Sequence, residues 1–166
     1  MTGMPNQKDE KRRTSIEDGE TRPSVAPSYS GACLCGAVEV RVTGQPVVMG
    51  YCHCDSCRRW SASPVNGFTL WKPEAVEVTR GREQLGAYQK TERSIRRYCC
   101  ACGGHLFTEH PTWGVVDVYA ATIPTLAFEP AVHVNYAEQV LRMIDGLPKQ
   151  RDMPAEMGGT GQLLAE

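Results

Sequence analysis

No stretch of this 166-residue chain approaches the roughly 18 consecutive apolar residues that a membrane-crossing helix needs, which excludes a helical span. The first thirty residues also lack the apolar core of a secretion signal. The expected setting is therefore the cytosol, where thiols are kept reduced and closely spaced cysteines read as metal ligands or reactive thiols rather than disulfides. Neither charge sign is in excess: the formal net charge is −1 and the pI about 6.4. Such a chain has no field to hold nucleic acid or an anionic membrane, and seven ionised thiols with two divalent cations would leave it more negative still. Aromatic residues make up only 7% of the chain, so the core is thin and a small β domain gains from cross-links. Eight cysteines are available to supply them.

Residues 1–28 are polar, mixed in charge and poor in aliphatics, the composition of a disordered tail. Acidic Asp9 and Glu10 beside Lys11, Arg12 and Arg13 argue against a nucleic-acid arm. From Tyr29 onward, short β-branched and aromatic runs are punctuated by glycine and proline, the pattern of strands joined by turns. Alternation predicts a strand over 37–43, with Val38, Val40 and Val42 facing one side and Glu39 and Arg41 the other. Further strands are expected over 47–51, 65–71, 76–80, 85–89, 94–98, 105–108, 115–119 and 132–136. Nine strands imply a mainly β, mostly antiparallel system. Helix is confined to a turn or so after Cys54 and a short piece within 137–144. The β domain is expected to span 29–144, and the Gly/Pro-rich segment 145–166 reads as an ordered loop or extension rather than core.

The cysteines fall into three clusters: Cys33 and Cys35; Cys52, Cys54 and Cys57; Cys99, Cys100 and Cys102. A tetrahedral zinc ion takes four soft or borderline ligands, and two cysteines one or two residues apart in a turn supply one edge of the tetrahedron. Cys33 and Cys35 combined with Cys99 and Cys102 would make a closed, structural Cys₄ site. Cys100 is then left as a plain thiol. The middle cluster offers three ligands, and three protein ligands leave a position open for water or substrate. Other groupings remain open at this stage: one metal shared by all clusters, Cys52 as a buried thiol, or a fourth donor from His53, Asp55 or a distant histidine. In an extended segment His53 should point away from its neighbours Cys52 and Cys54.

The runs GACLCGAVEVRVTG, YCHCDSCRRWSASPVNGF and YCCACGGHLF resemble the glutathione-dependent formaldehyde-activating enzyme family, which also includes the centromere protein V domain. The resemblance covers roughly 29–136. It implies a β-tent of stacked antiparallel sheets built around a structural zinc on Cys33, Cys35, Cys99 and Cys102, with little helix, and a second, catalytic zinc on Cys52, Cys54 and Cys57. The activity it implies is carbon–sulfur lyase chemistry on a small-molecule thiol, a glutathione adduct such as S-hydroxymethylglutathione. The family commonly has glycine where this chain has Trp60, Ser61 and Ala62, and Cys100 is an extra cysteine; both departures lie near the metals.

Arg58 and Arg59 offer forked donors for the carboxylates of glutathione, with charge compensation of an anionic Cys₃ site as the alternative. Arg96 and Arg97 read as compensating or solvated charges, and Tyr51, Trp60 and Asn66 as packing or turn residues. His133 reads as a packed or supporting histidine, with proton transfer as its other possible use. The competing function is a non-catalytic thiol or glutathione carrier, or an interaction module of the kind the centromere protein V branch suggests; the net charge argues against a chromatin partner. The sequence leaves the oligomeric state open.

Overall fold

The computed structural model describes residues 26–166, so nearly all of the expected tail at 1–28 lies outside the described residues. Two sheets are present. The smaller is antiparallel, ordered β1-β2-β5, from β1 (Ser28–Ala32), β2 (Glu39–Thr43) and β5 (Val76–Arg80). The larger has nine strands. They are β3 (Val48–Cys52), β4 (Asn66–Trp71), β6 (Leu85–Thr91), β7 (Ser94–Cys99), β8 (His105–His110), β9 (Val115–Tyr119), β10 (Val132–Val134), β11 (Lys149–Gln150) and β12 (Leu163–Leu164). Their order is β12-β11-β10-β3-β4-β9-β8-β7-β6, antiparallel except for the two parallel pairings that β10 makes with β3 and β11. One α-helix, α1 (Asp55–Ser61), follows β3. Among the described residues no helix is long and apolar enough to cross a membrane.

All nine expected strands form. Three more join them: β1, whose sequence SYSGA carries no β-branched residue, and the two-residue strands β11 and β12 of the C-terminal segment. The helical expectation within 137–144 is met only by a 3₁₀ turn at Tyr136–Glu138.

Alternation works as written across β2 and the residue before it: Val38, Val40 and Val42 are buried while Arg41 is exposed. These valines meet Trp71, Leu106, Phe107, Val116, Val118 and Ile123 of the large-sheet side to form the main core, with Cys33 and Cys99 at its border. Trp71 is fully buried, and its indole N–H donates to Thr69 Oγ1 at 2.7 Å, whose hydroxyl in turn donates to the Val118 carbonyl at 2.6 Å. The polar atom of the largest core side chain is thus satisfied. The opposite face of the large sheet carries a smaller cluster of Cys52, Phe68 and Val134, against which Cys54, Cys57 and Leu70 pack. Gly50 lets β10 lie beside β3 there, because a Cβ at this position would overlap the Val132 carbonyl oxygen and the Phe68 ring.

Replacing Trp71 by alanine removes the centre of the main core and is expected to cost about 3–5 kcal/mol. The urea midpoint should fall accordingly, whereas Val47→Ala, at a position 57% exposed, should stay within about 0.5 kcal/mol of the parent.

Candidate metal centres

The first centre ties the two sheets together. Cys33 and Cys35 lie in the turn from β1 to β2, where Gly36 adopts φ +74° and donates its N–H to the Cys33 carbonyl at 2.9 Å. Cys99 ends β7, and Cys102 sits in the following turn, closed by Gly103 (φ +71°) donating to the Cys99 carbonyl at 2.8 Å. Glycine occupies both left-handed positions, where a side chain would be strained. The four sulfurs lie within 4.8 Å of one another, with Cys33 to Cys35 at 3.6 Å and Cys35 to Cys99 at 3.9 Å. Those separations exceed a disulfide bond (about 2.05 Å) and match the roughly 3.8 Å edge of a tetrahedron with 2.3 Å zinc–sulfur bonds.

Backbone N–H groups point at the sulfurs: Val38 onto Cys33 at 3.2 Å and Gly104 onto Cys102 at 3.4 Å. The Gly104 amide leads the contacts that bring the Cys102 thiol down to about 6. At Cys35 the Ala37 amide lowers the pKa, but the neighbouring sulfurs of Cys102 and Cys33 outweigh it and push the thiol up to about 11. Protons are therefore shared out unequally, and a cation is needed before all four sulfurs can ionise together. Cys100 is exposed and outside this group.

The second centre lies on the other face of the large sheet. Cys52 ends β3, Cys54 caps α1 with its sulfur accepting from the Cys57 N–H at 3.1 Å, and Cys57 stands in the first turn of the helix. Their sulfurs also lie within 4.8 Å of one another, and among the described residues no fourth histidine, cysteine or carboxylate joins them. Hydrogen bonds from Cys52 and Cys57 hold the Cys54 thiol down at about 3. The same contact with Cys54 is the main force pushing Cys52 up to about 12, and the neighbouring sulfurs of Cys52 and Cys54 push Cys57 well upward. One thiolate is thus stabilised at the expense of two thiols, an arrangement that a soft divalent cation would relieve.

The register brings other groups to this face. Cys52 pairs with Asn66, Phe68 with Tyr119, Leu70 with Asp117, Asp117 with Thr108, and Thr108 with Arg96, so these residues share one side of the sheet. Arg96 is buried and reaches helix α1, donating to the Ser56 carbonyl at 3.0 Å and its hydroxyl at 2.9 Å, with its guanidinium 5.2 Å from the Trp60 ring centre. Its charge is among the contacts that lower the Cys54 pKa. Trp60 stacks on His105 with centroids 4.2 Å apart. Asp117 is buried with Oδ1 unpartnered, and burial, only partly offset by the Thr69 amide, lifts its carboxyl to about 8. A cavity of about 380 Å³ opens here, lined by Ser61, Ser63, Asn66, His105, Tyr119 and Thr122. A larger groove of about 480 Å³ borders Val76, Leu85 and Phe107 with the Arg97–Glu109 pair, and no cysteine lines either cavity.

His53 points away from the sulfurs, fully buried, with Nε2 2.8 Å from His133 Nδ1. Arg58 donates from Nε to the His53 carbonyl at 2.8 Å and is only 17% exposed at the side chain, whereas Arg59 is 80% exposed. Tyr51 packs on Phe128 and His133. Asp117 carries no local signal in the sequence, and Arg96, read as a compensating or solvated charge, lies three residues from Cys99 in sequence, yet strand alternation turns it to the opposite face and toward Cys54.

A family model described as glutathione-dependent formaldehyde-activating enzyme matches residues 28–138. A relative named an uncharacterized lyase, from Schizosaccharomyces pombe, is 31% identical over 81 residues, which make up 49% of this chain and 57% of that protein. The match thus spans little more than half of the relative's length. The crystal structure of a Rhodobacter sphaeroides protein superposes with a TM-score of 0.50 at 24% identity, over 59% of this chain and 90% of that one, a likeness of fold.

Because the folded Asp117 carboxyl keeps its proton up to about pH 8 while an unfolded one loses it near about 3.9, the native state binds the extra proton between those values. Stability should therefore fall as pH rises through that window. Asp117→Asn, which cannot ionise, should gain on the parent between pH 5 and pH 8 in urea unfolding; a constant gap would contradict this assignment.

Proposed function

We propose that this chain, which belongs to the glutathione-dependent formaldehyde-activating enzyme family, is a zinc-dependent carbon–sulfur lyase acting on a glutathione or other thiol adduct such as S-hydroxymethylglutathione. The observation that carries the reading is the set of three converging sulfurs with no fourth donor among the described residues; Asn66, which pairs with Cys52, lines the nearby cavity. The donors fit zinc: thiolates are soft ligands, and three of them leave one position for a substrate sulfur. Cys52, Cys54 and Cys57 would hold this ion, and Cys33, Cys35, Cys99 and Cys102 a second, structural one. When bound, the ion at the three-sulfur centre would supply Lewis acidity that keeps a substrate sulfur in its thiolate form.

The bond changes are simple. In the lyase direction the carbon–sulfur bond of the hydroxymethyl adduct breaks, its electron pair goes to sulfur, and the hydroxyl proton leaves as the carbonyl of formaldehyde forms. The synthetic direction reverses each change, so concentrations set the direction of flux. Arg58 and Arg59 are assigned to the adduct's carboxylates. Arg59 is the freer of the two, its contact with Asp55 being 3.8 Å long and exposed. Asn66, unpartnered at Nδ2, and the Trp60–His105 stack would orient the adduct along the cavity wall. Burial and the Arg96 charge lower the His105 pKa, which favours a neutral ring there.

The test is metal analysis together with NMR exchange spectroscopy of formaldehyde and glutathione. The parent should carry two zinc ions and accelerate exchange; Cys54→Ala should retain one ion, stay folded and fall to the uncatalysed rate. Exchange in the parent no faster than in buffer would favour a carrier. Loss of all metal with unfolding in Cys54→Ala would show that the two centres do not divide structure from chemistry.

A further inference from the structure

Beyond the family match at 28–138, the chain places an ionic cluster around the buried Lys149 against His133, whose ring meets His53, the residue between two of the sulfur donors. We infer that Asp145 and Lys149 are positioning residues for the three-sulfur loop, acting through His133 and His53, so that the C-terminal segment sets the geometry of that centre. The inference rests on the metal reading of Cys52, Cys54 and Cys57 given above.

The contacts form one chain. His53 and His133 are both fully buried, their rings stacked with centroids 5.1 Å apart and joined Nε2 to Nδ1 at 2.8 Å. His133 Nε2 lies 2.9 Å from Asp145 Oδ2. The other carboxylate oxygen of Asp145 accepts from Lys149 Nζ, which also donates to the Leu147 carbonyl at 3.0 Å and to Glu166 Oε1 at 2.8 Å. Glu166 Oε1 in turn accepts from the Gly146 N–H at 2.8 Å and the Asp145 N–H at 3.1 Å. Tyr136 sets its ring edge-on to both histidines, and the Lys149 ammonium lies 5.6 Å from the centre of that ring.

The direction of these bonds follows from Asp145. Burial would raise its pKa, but the bonds from Lys149 and His133 prevail and hold it at about 2, so it is an acceptor only. With His133 as a neutral ring donating from Nε2, its Nδ1 accepts from His53 Nε2–H. His53 is thereby fixed in one tautomer and one ring orientation, with its buried Nδ1 left without a partner. The backbone of His53 is fixed as well, its N–H donating to the Val134 carbonyl at 3.0 Å and its carbonyl accepting from Arg58 at 2.8 Å. Any rotation of this residue would swing Cys52 and Cys54 relative to each other.

Stability alone is a poor explanation for the cluster. Lys149 is only 1% exposed, and burying an ammonium with two carboxylates gains little over packing an apolar side chain in the same place. What the ions add is orientation, since a carboxylate specifies which histidine nitrogen carries hydrogen. The fold provides the placement: β11 runs parallel to β10 and sets Lys149 beside His133, while β10 sets His133 beside Tyr51, two residues from His53.

The experiment is chelator-driven zinc release from the full-length, zinc-loaded protein, followed by the absorbance of the chelator complex. Lys149→Met and Asp145→Asn should release one of the two ions about 10–100-fold faster than the parent, the range typical for groups that orient ligands, with the other ion unchanged. Lys149→Arg should restore most of the slow release. Glu166→Gln, the mildest change, should move the same ion in the same direction by less. Release of both ions at parental rates, or equal acceleration of both, overturns the inference; unfolding of Lys149→Met combined with parental release in Glu166→Gln does so too. Because the readout is metal retention, the inference can fail while formaldehyde exchange stands, and can hold if exchange is absent.

Discussion

Three sulfur atoms held within 4.8 Å of one another repel as soon as more than one ionises, and the rest of this structure answers to that constraint. At Cys52, Cys54 and Cys57 the protein settles it by leaving one thiolate and two thiols, a state that invites a cation. The surroundings are arranged for negative charge: an N–H from Cys57 on Cys54, the Asn135 amide 3.6 Å from Cys52, and Arg96 brought across the sheet. Asp117, the carboxyl on the same face, is kept protonated by burial at neutral pH and so adds no second negative charge.

The two centres lie on opposite faces of the large sheet and are built differently for physical reasons. The four-sulfur group joins the β1–β2 turn to the end of β7, crossing between sheets at the border of the main core, and its four donors suit a tetrahedron. The three-sulfur group is set by a strand end and a helix cap that are adjacent in sequence, and no fourth donor joins it among the described residues. Closure and openness therefore come from how many segments contribute: two turns give four donors, one turn gives three.

Much of this was legible in the sequence where the signal is local. Strand alternation in 37–43, the short β-branched runs elsewhere and the cysteine spacings depend on neighbours a few residues apart, and the nine strands and three cysteine clusters follow from them, whereas the joining of Cys33 and Cys35 to Cys99 and Cys102 is a long-range contact. What could not be read depends on register. Asp117 sits in VVDVY, where alternation assigns the lone polar residue to solvent, yet helix α1 and the β3–α1 loop cover that face. Arg96 reads as a partner of the nearby Cys99 but belongs to Cys54, because a one-residue change of position in a strand is a change of face. The segment 145–166 carries turn signals throughout, and the burial of Lys149 follows only from the parallel pairing of β10, which no local pattern announces.

The central claim is that the ion at the three-sulfur centre has a position open to a visiting thiol. It is tested most directly by replacing zinc with cobalt and titrating glutathione while recording the visible spectrum. Two tetrahedral cobalt centres should be present, and glutathione should shift the ligand-field and thiolate charge-transfer bands of one of them while Cys54→Ala abolishes the response. A spectrum of two filled sites that glutathione leaves unchanged would contradict the account.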